Sequence, residues 1–571
     1  MTDTIYTSSY PSVPICRRSI FTHLLGVSPS SPGTVGGFPA SSPAFIDALS
    51  GTTISRGTSR SYALQLAFSL HNLPSPLENR TKTVLILSPN SITWPVMIFG
   101  VVAAGFRATL ANSAYTPNEL KYQYIDAGAH LVFVHPSLEI RSRVIVAGVQ
   151  WITGTEDVSV PDLKDLVAIT QLLGRGELRE EVSFNGERSN ETVYLCYSSG
   201  TTGQPKGVET THYNLISVLE MLKPVWPNSK PCLTPSIPAQ GGVDVLFGCL
   251  PYYHIYGGVK LLYLPLFLGT PAVVMAGFDP DGFCAAIARY RVTVRLRCPS
   301  DASTIQKHDL TSLKILFSGA APLGAELVLT VMKRMKGIGA DVNILQGYGL
   351  TETSPTVFLL PVPHAGSHIG AAGVLLPNLE VRLVGEAAGE AHTDIPGAGE
   401  VWVRGPTIMK GYLNNPTATA EAITPDGWFK TGDIGVRDND GFFTIVDRKK
   451  ELIKYKGFQV PPAELESVLL QHPEVADAAV IGIESKEEAT ELPRAYITPS
   501  RPLSSQEVPS FALGIQNWVS QRVAPHKRLR GGVVIIDKVP KSAAGKILRR
   551  ELRERAKTDV AEGQLKPRAK L

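Results

Sequence analysis

The sequence predicts an α/β protein with substantial parallel sheet, followed by a smaller α+β unit in its C-terminal part. Three observations point there. Short β-branched or apolar runs recur between amphipathic stretches, the alternation that layered α/β architectures require. From about Val381 onward this gives way to strands and turns. The chain has 571 residues, 43% of them hydrophobic and 19% charged; at ~150 residues per unit it holds three or four folding units around a large core.

The expected strands, in order, are Thr83–Leu87, Leu131–Val134, Thr192–Tyr197, Val292–Leu296, Lys314–Phe317 and Val342–Leu345. Several are followed by Gly, Pro, Ser or Asn, the residues that turn a chain out of a sheet. The apolar stretch Leu261–Phe278 contains Pro265, Gly269 and Pro271 and lacks membrane anchors. It is expected as a buried strand-turn-strand, not a membrane-spanning helix. Glu400–Val403 and Phe442–Val446 are strands of the later region. Pro462 opens a helix reaching about Leu470, strands follow near Ala478–Ile481 and Arg494–Ile497, and a last helix starts near Gly545. A domain boundary falls near Asp447–Lys450, where the basic Arg448-Lys449-Lys450 stretch interrupts apolar strands.

Composition excludes several classes. The 55 basic and 51 acidic residues leave a formal charge of +4, with no concentrated basic face of the kind nucleic acid demands. The six cysteines, at 16, 196, 232, 249, 284 and 298, form no Cys-x-x-Cys pair, so neither structural zinc nor a disulfide framework is expected. Pro11, Pro14, Arg17 and Arg18 occupy the stretch where a secretory leader needs an apolar core. A soluble intracellular protein is expected.

Chemistry concentrates at Tyr197-Ser-Ser-Gly-Thr-Thr-Gly-Gln-Pro-Lys206-Gly-Val208, directly after an apolar strand. Its glycines permit tight turns and close backbone approach to an anion. Ser198, Ser199, Thr201 and Thr202 add hydroxyl donors, and Lys206 adds a mobile positive charge. The set suits a polyphosphate, yet it is not a Walker A loop, because that spacing is absent. An ordinary Gly/Ser turn would not carry so long a polar run with a lysine at its end.

Four more blocks follow: Gln346-Gly-Tyr-Gly-Leu-Thr-Glu352, Gly427-Trp-Phe-Lys-Thr-Gly-Asp433, Asp447-Arg-Lys-Lys-Glu-Leu-Ile-Lys-Tyr-Lys-Gly457 and Pro540-Lys-Ser-Ala-Ala-Gly-Lys546. In this order the five blocks resemble those of the adenylate-forming enzymes, the acyl- and aryl-CoA ligases with their luciferase and adenylation-domain relatives. The likeness runs from about Ile20 to Arg555. Through Leu250-Pro-Tyr-Tyr-His-Ile-Tyr256 and Lys454-Tyr-Lys-Gly-Phe-Gln-Val460 the chain is most similar to 4-coumarate–CoA ligase-like enzymes.

The resemblance implies a multi-lobed adenylation domain over residues 1–447, with parallel sheets and a distorted β-barrel. It further implies a hinge at 448–450 and a small mobile α+β domain over 451–571. It also implies residue roles. Ser198, Ser199, Gly200, Thr201, Thr202, Gly203 and Lys206 would cradle the β- and γ-phosphates of ATP. Gln346, Gly347 and Tyr348 would line the adenine, Thr351 would touch the α-phosphate, and Glu352 would help hold Mg²⁺. Asp433 and Arg448 would clamp the ribose hydroxyls. Lys546 would bridge the carboxylate and the α-phosphate, Lys450 would be the hinge, and Lys454 would lie on the nucleotide side. Lys456 and Gly457 would line the path of coenzyme A. His254, Tyr256, Ser318, Gly319, Ala320 and Gly349 would form the acyl pocket, with His254 as its gate and the small Gly319 and Ala320 leaving room for substrate.

Outside these blocks the same residue types would be ordinary. Asp433 alone reads as a turn carboxylate, and Lys449, Lys450, Lys454 and Lys456 as a solvated charge run. Lys546 near a helix start gains nothing from the helix dipole. A lone His among aromatics is more often a core residue than a base. The chain also departs from the family, which usually continues from the strand at Val292 into an apolar pair of prolines and a longer helix: here Arg295-Leu-Arg-Cys-Pro299-Ser-Asp-Ala follows, and the stretch before Asp309-Leu310 is several residues shorter. Phe317 stands where hydroxycinnamate ligases tend to carry Lys, so the pocket floor is expected to be apolar. Gly277 stands where plant-type relatives carry a CoA-contacting Lys.

The expected activity is that of an AMP-forming acyl-CoA ligase for a hydrophobic acid, aryl or medium- to long-chain, in secondary metabolism, with ATP, Mg²⁺ and coenzyme A. The alternatives are an adenylating enzyme loading a carrier-protein thiol and an inactive nucleotide-binding homologue. The closing Ala569-Lys570-Leu571 is close to the Ser-Lys-Leu peroxisomal address. Binding to the peroxisomal import receptor, and a peroxisomal rather than cytoplasmic location, are expected on that ground.

Overall fold

The computed structural model describes residues 4–73, 82–135, 137, 168–198, 205–238, 242–296, 305–319, 323, 325–385, 396–456, 458–485, 488, 490–542 and 545–561. Ser199 to Gly203, Ala320, Gly457, most of the shortened 295–309 segment and the last three residues lie outside them.

The large N-terminal part is built on three sheets. One has six strands in the order Gly411–Tyr412, Lys206–Thr211, Thr192–Ser198, Arg107–Ala111, Thr83–Leu87 and Ala129–Val134. Every residue of Thr83–Leu87 is buried, as expected of a parallel strand covered on both faces. A second sheet has nine strands. In its middle, Ala272–Val274, Leu246–Gly248, Val294–Leu296, Ile315–Ser318 and Asn343–Gly349 all run parallel. Thr356–Leu359 turns back antiparallel beside Asn343–Gly349.

The third sheet is antiparallel throughout, in the order Ile5–Thr7, Glu380–Val384, Gly399–Arg404, Phe429–Arg437 and Phe443–Arg448. It corresponds to the expected distorted barrel but does not close. Its two outer strands face each other through side chains only, the rings of Tyr6 and Phe443 meeting edge-on at 5.9 Å. Strand twist curls the sheet that far without bringing the backbones into pairing range.

Two elements differ from expectation. Leu261–Phe278 is not strand-turn-strand: a π-helical turn, Gly258–Tyr263, runs into the helix Leu264–Leu268, and only Ala272–Val274 is a strand. Pro265 sits in the first helical turn, where its missing N–H costs nothing, and Gly269 ends the helix at φ 71°. The last helix spans Arg549–Ala561 and starts after Gly545. Gly545 has φ 86°, outside the right-handed helix region, and closes a loop in which the Ser542 amide donates to the Lys546 carbonyl at 2.8 Å.

The C-terminal part has its own core, from Ile453 to Ala556. It holds the strands Val475–Ser485, Thr490–Pro499 and Val533–Ile535, the hairpin Ile453–Tyr455/Phe458–Val460 and the helix Pro462–Leu469. Among the described residues no helix is long and apolar enough to cross a membrane.

Candidate active site

The clearest cluster forms where the open antiparallel sheet meets the nine-stranded one. Asp433 and Arg448 lie directly opposite each other on neighbouring antiparallel strands. Arg448 Nε is 3.1 Å from Asp433 Oδ1. The contact is an ion pair that leaves Oδ1, a buried acceptor, without a hydrogen bond among the described residues. The other oxygen, Oδ2, accepts from the Tyr348 hydroxyl at 2.6 Å. Burial pushes the Asp433 carboxyl above its ordinary range while Arg448 and Tyr348 pull it down. Tyr348 stacks on Phe358 with ring centres 5.5 Å apart, and Phe358 on Phe443 at 4.4 Å. Gln346 is buried on the same strand and clasps Leu323 twice, accepting from its amide at 3.2 Å and donating to its carbonyl at 3.3 Å.

A second group adjoins it. Thr351 and Glu352 occupy the short 3₁₀ turn after Gly349. The Tyr412 hydroxyl donates to Glu352 Oε1 at 3.0 Å, and Lys206 Nζ stands 4.7 Å from the Tyr412 ring centre. Ser198 and Lys206 pair across the strands that lead into and out of the polar motif. Lys206, Tyr412 and Glu352 therefore form one string of charge, ring and carboxylate. Among the described residues no three His, Cys, Asp or Glu side chains cluster to hold a metal. The buried Glu352 carboxylate beside the strands that flank the polar motif nevertheless fits Mg²⁺, which commonly takes one or two protein carboxylates and completes its shell with water and phosphate oxygens.

The C-terminal part brings Lys546 to this site. Arg549 Nη2 donates to both carboxylate oxygens of Glu466, at 2.7 and 2.8 Å, and anchors the start of the last helix. Lys546 lies three residues earlier, its amide donating to Ser542 Oγ at 3.2 Å. Burial, and then the nearby Arg448 charge, lower its ammonium to about 8; Asp433 and Glu451 act in the opposite sense. His254 is lowered to about 4, first by burial and then by Lys546. It is held neutral, with Nδ1 accepting from the Tyr256 amide at 3.2 Å, so it is a poor proton acceptor near neutrality.

Tyr256, Ser318 and Gly319 come together beside His254. A Cβ on Gly319 would lie 2.9 Å from the Tyr256 ring, so the absent side chain leaves room for the tyrosine. Gly349 likewise makes room for backbone, since a Cβ there would overlap the Pro355 carbonyl oxygen. The remaining lysines are not gathered in. Lys450 and Lys454 are exposed, and Lys456 Nζ pairs with Glu488 at 2.7 Å. Sequence reasoning missed Lys260, Trp226 and Tyr412. Lys260 is the only charge in the apolar run Val259–Leu264, and that isolation is its one signal in the sequence.

Comparison with known proteins follows the same outline. The family described as AMP-binding enzyme matches residues 34–413, and the AMP-binding enzyme C-terminal domain matches 464–546. The Dictyostelium discoideum protein named "Probable 4-coumarate--CoA ligase 1" is 35% identical over 490 residues, covering 82% of this chain and 85% of that protein. The rice (Oryza sativa subsp. japonica) protein named 4-coumarate--CoA ligase-like 6 is 36% identical over 541 residues, covering 89% and 83%. Among solved structures, o-succinylbenzoate CoA synthetase from Bacillus subtilis, bound to its acyl-adenylate intermediate, superposes with a TM-score of 0.70 at 25% identity. The superposition covers 90% of this chain and 95% of that one.

Proposed function

Since the chain belongs to the AMP-binding enzyme family, we propose that it is an AMP-forming acid–thiol ligase acting on a carboxylic acid with a hydrophobic body, aryl or medium- to long-chain. One observation carries this reading: a lysine from the C-terminal part, Lys546, stands in the field of the Asp433–Arg448 pair and of His254. The cluster is cationic, largely buried and flanked by a phosphate-type loop, which suits a reaction whose charge develops on phosphoryl oxygens.

In the first step a carboxylate oxygen attacks the α-phosphorus of ATP and the bond to pyrophosphate breaks, leaving an acyl-adenylate. Asp433 accepts from the ribose through its vacant Oδ1 while Arg448 donates. Tyr348 offers its ring to the base, Lys206 meets the outer phosphates, and Lys546 donates to the carboxylate and α-phosphate. Glu352 would hold Mg²⁺, which when bound would supply charge neutralisation to the phosphates. In the second step the coenzyme A thiolate, its proton given up to solvent, attacks the acyl carbon, and the C–S bond forms as the bond to AMP breaks. His254 excludes water from the acyl site without exchanging a proton.

The test is pyrophosphate release across a panel of carboxylic acids, with and without coenzyme A. Release with at least one acid, and thioester only when coenzyme A is present, is the expected result. Thioester formation on a carrier protein but not on coenzyme A would favour the carrier-loading alternative. No release with any acid would leave a nucleotide-binding homologue.

Residues 448–450 join the two parts, and a rotation there would carry Lys546 away and bring the Lys456 hairpin in. A hinge must absorb a change in backbone dihedrals, whereas proline fixes φ. Lys450→Pro is expected to spare acyl-adenylate formation and to block thioester formation by at least tenfold. Equal rates in both half-reactions would place the hinge elsewhere.

A further inference from the structure

A lysine is buried where no acceptor meets it. Lys260 lies in the π-helical turn Gly258–Tyr263, one turn on from Tyr256, and is 1% exposed. Its Nζ stands 5.1 Å from the ring centre of Trp226 and 5.6 Å from that of Phe317, and has no hydrogen-bond partner among the described residues. Two more polar atoms on side chains packed against Phe317 are stranded in the same way. Trp226 Nε1 and Tyr256 Oη are buried without partners, their rings 5.5 and 6.2 Å from that of Phe317. Tyr256 in turn covers Gly319 in the acyl wall. Phe317 is therefore flanked by three side chains that carry buried, unpartnered polar atoms.

Such an arrangement is costly. A buried polar group without a partner costs ~1–3 kcal/mol, and an uncompensated ammonium costs more. The aromatic faces return part of this through cation–π attraction. Burial also holds Lys260 well below the ordinary lysine range, so the free protein reduces the penalty by releasing the proton. Three such atoms around one phenylalanine do not improve packing, since apolar side chains of similar size would pack at lower cost. Their hydrogen-bonding capacity indicates what they lack. An ammonium and an indole N–H donate only, and a phenol can donate. Donors of this kind are complementary to an acceptor-only group, and a carboxylate is the strongest such acceptor.

We propose that the far end of the acyl site binds a second, distal carboxylate of the substrate, with Lys260 as its counter-ion and Tyr256 and Trp226 as further donors. The acid activated then has an apolar middle and an anionic far end. This rests on the ligase reading above and adds the identity of the far end. Binding returns Lys260 to its ammonium form with a proton taken from solvent.

The experiment uses the full chain and three acids of equal backbone length, ending in methyl, hydroxyl or carboxylate. Pyrophosphate release is measured for the wild type and for Lys260→Met. The carboxylate-ended acid is expected to have the highest wild-type kcat/KM, at least tenfold above the methyl-ended acid, and Lys260→Met is expected to invert that order. A wild-type preference for the methyl- or hydroxyl-ended acid overturns the proposal while the ligase reading stands. So does an order that Lys260→Met leaves unchanged. No release with any of the acids overturns the ligase reading and this inference together. Should Lys260→Met fail to fold, the wild-type order alone decides.

Discussion

Lys546→Ala is expected to lower acyl-adenylate formation by about 10²–10³-fold, the usual loss when one preorganised donor is removed from a developing charge. Thioester formation from chemically supplied acyl-adenylate should keep most of its rate, because that step does not need the ammonium at the α-phosphate. Comparable loss in both half-reactions would show that the lysine supports the fold instead. The same side chain sets a pH dependence. In the proposed mechanism its ammonium is the active form, and burial lowers it to about 8 in the free protein, so charge is present below that pH and lost above it. The kcat/KM for pyrophosphate release, measured without coenzyme A, should therefore fall above about pH 8. The residual rate of Lys546→Arg, whose guanidinium stays charged, should show no such limb.

Asp433→Ala is the second large effect. The carboxylate faces a cation, a phenol and, in the proposed complex, a ribose. Its side chain is 4% exposed, whereas that of Arg448 is 35% exposed; solvent thus relieves part of the arginine's loss, and the damage falls mainly on nucleotide binding. Hydrogen bonds to charged groups are worth ~1.5–3 kcal/mol, so KM for ATP should rise about 10–100-fold. Tyr348→Phe removes one bond to the same carboxylate and leaves the charges intact, so its effect should be smaller. An unchanged KM for ATP in Asp433→Ala would remove the ribose from this assignment.

How much of this was visible in the sequence depended on whether a feature was local. The strand Thr83–Leu87 was read with the bounds the structure gives, and the helix opened by Pro462 to within a residue at its far end, because an apolar run or a helix start is written in consecutive residues. Leu261–Phe278 failed because a stretch apolar on every side has no period to separate helix from strand. At Gly319 the small size is legible in the sequence, but the ring packed against it comes from Tyr256, far away in the chain. Asp433 and Arg448 were joined only through family likeness. Their register across two strands is what makes them a pair. Lys260 carries no motif at all. Only the packing of Trp226 and Phe317 around it turns an isolated lysine into a chemical question.

The column of rings from Tyr348 through Phe358 and Phe443 to Tyr6 has a bearing on how the protein is made. Tyr6 leaves the ribosome well before its partners Val381 and Phe443, which come from the other end of the large domain. The N-terminal strand must wait unpaired through most of synthesis, since nothing translated in between completes that edge. Loop-closure entropy grows only slowly with length, so the delay adds little to the equilibrium cost. It does add time, because pairings between distant segments form slowly and leave apolar edges open meanwhile. The ring column is therefore a late product of folding, and the nascent large domain cannot acquire it piecemeal.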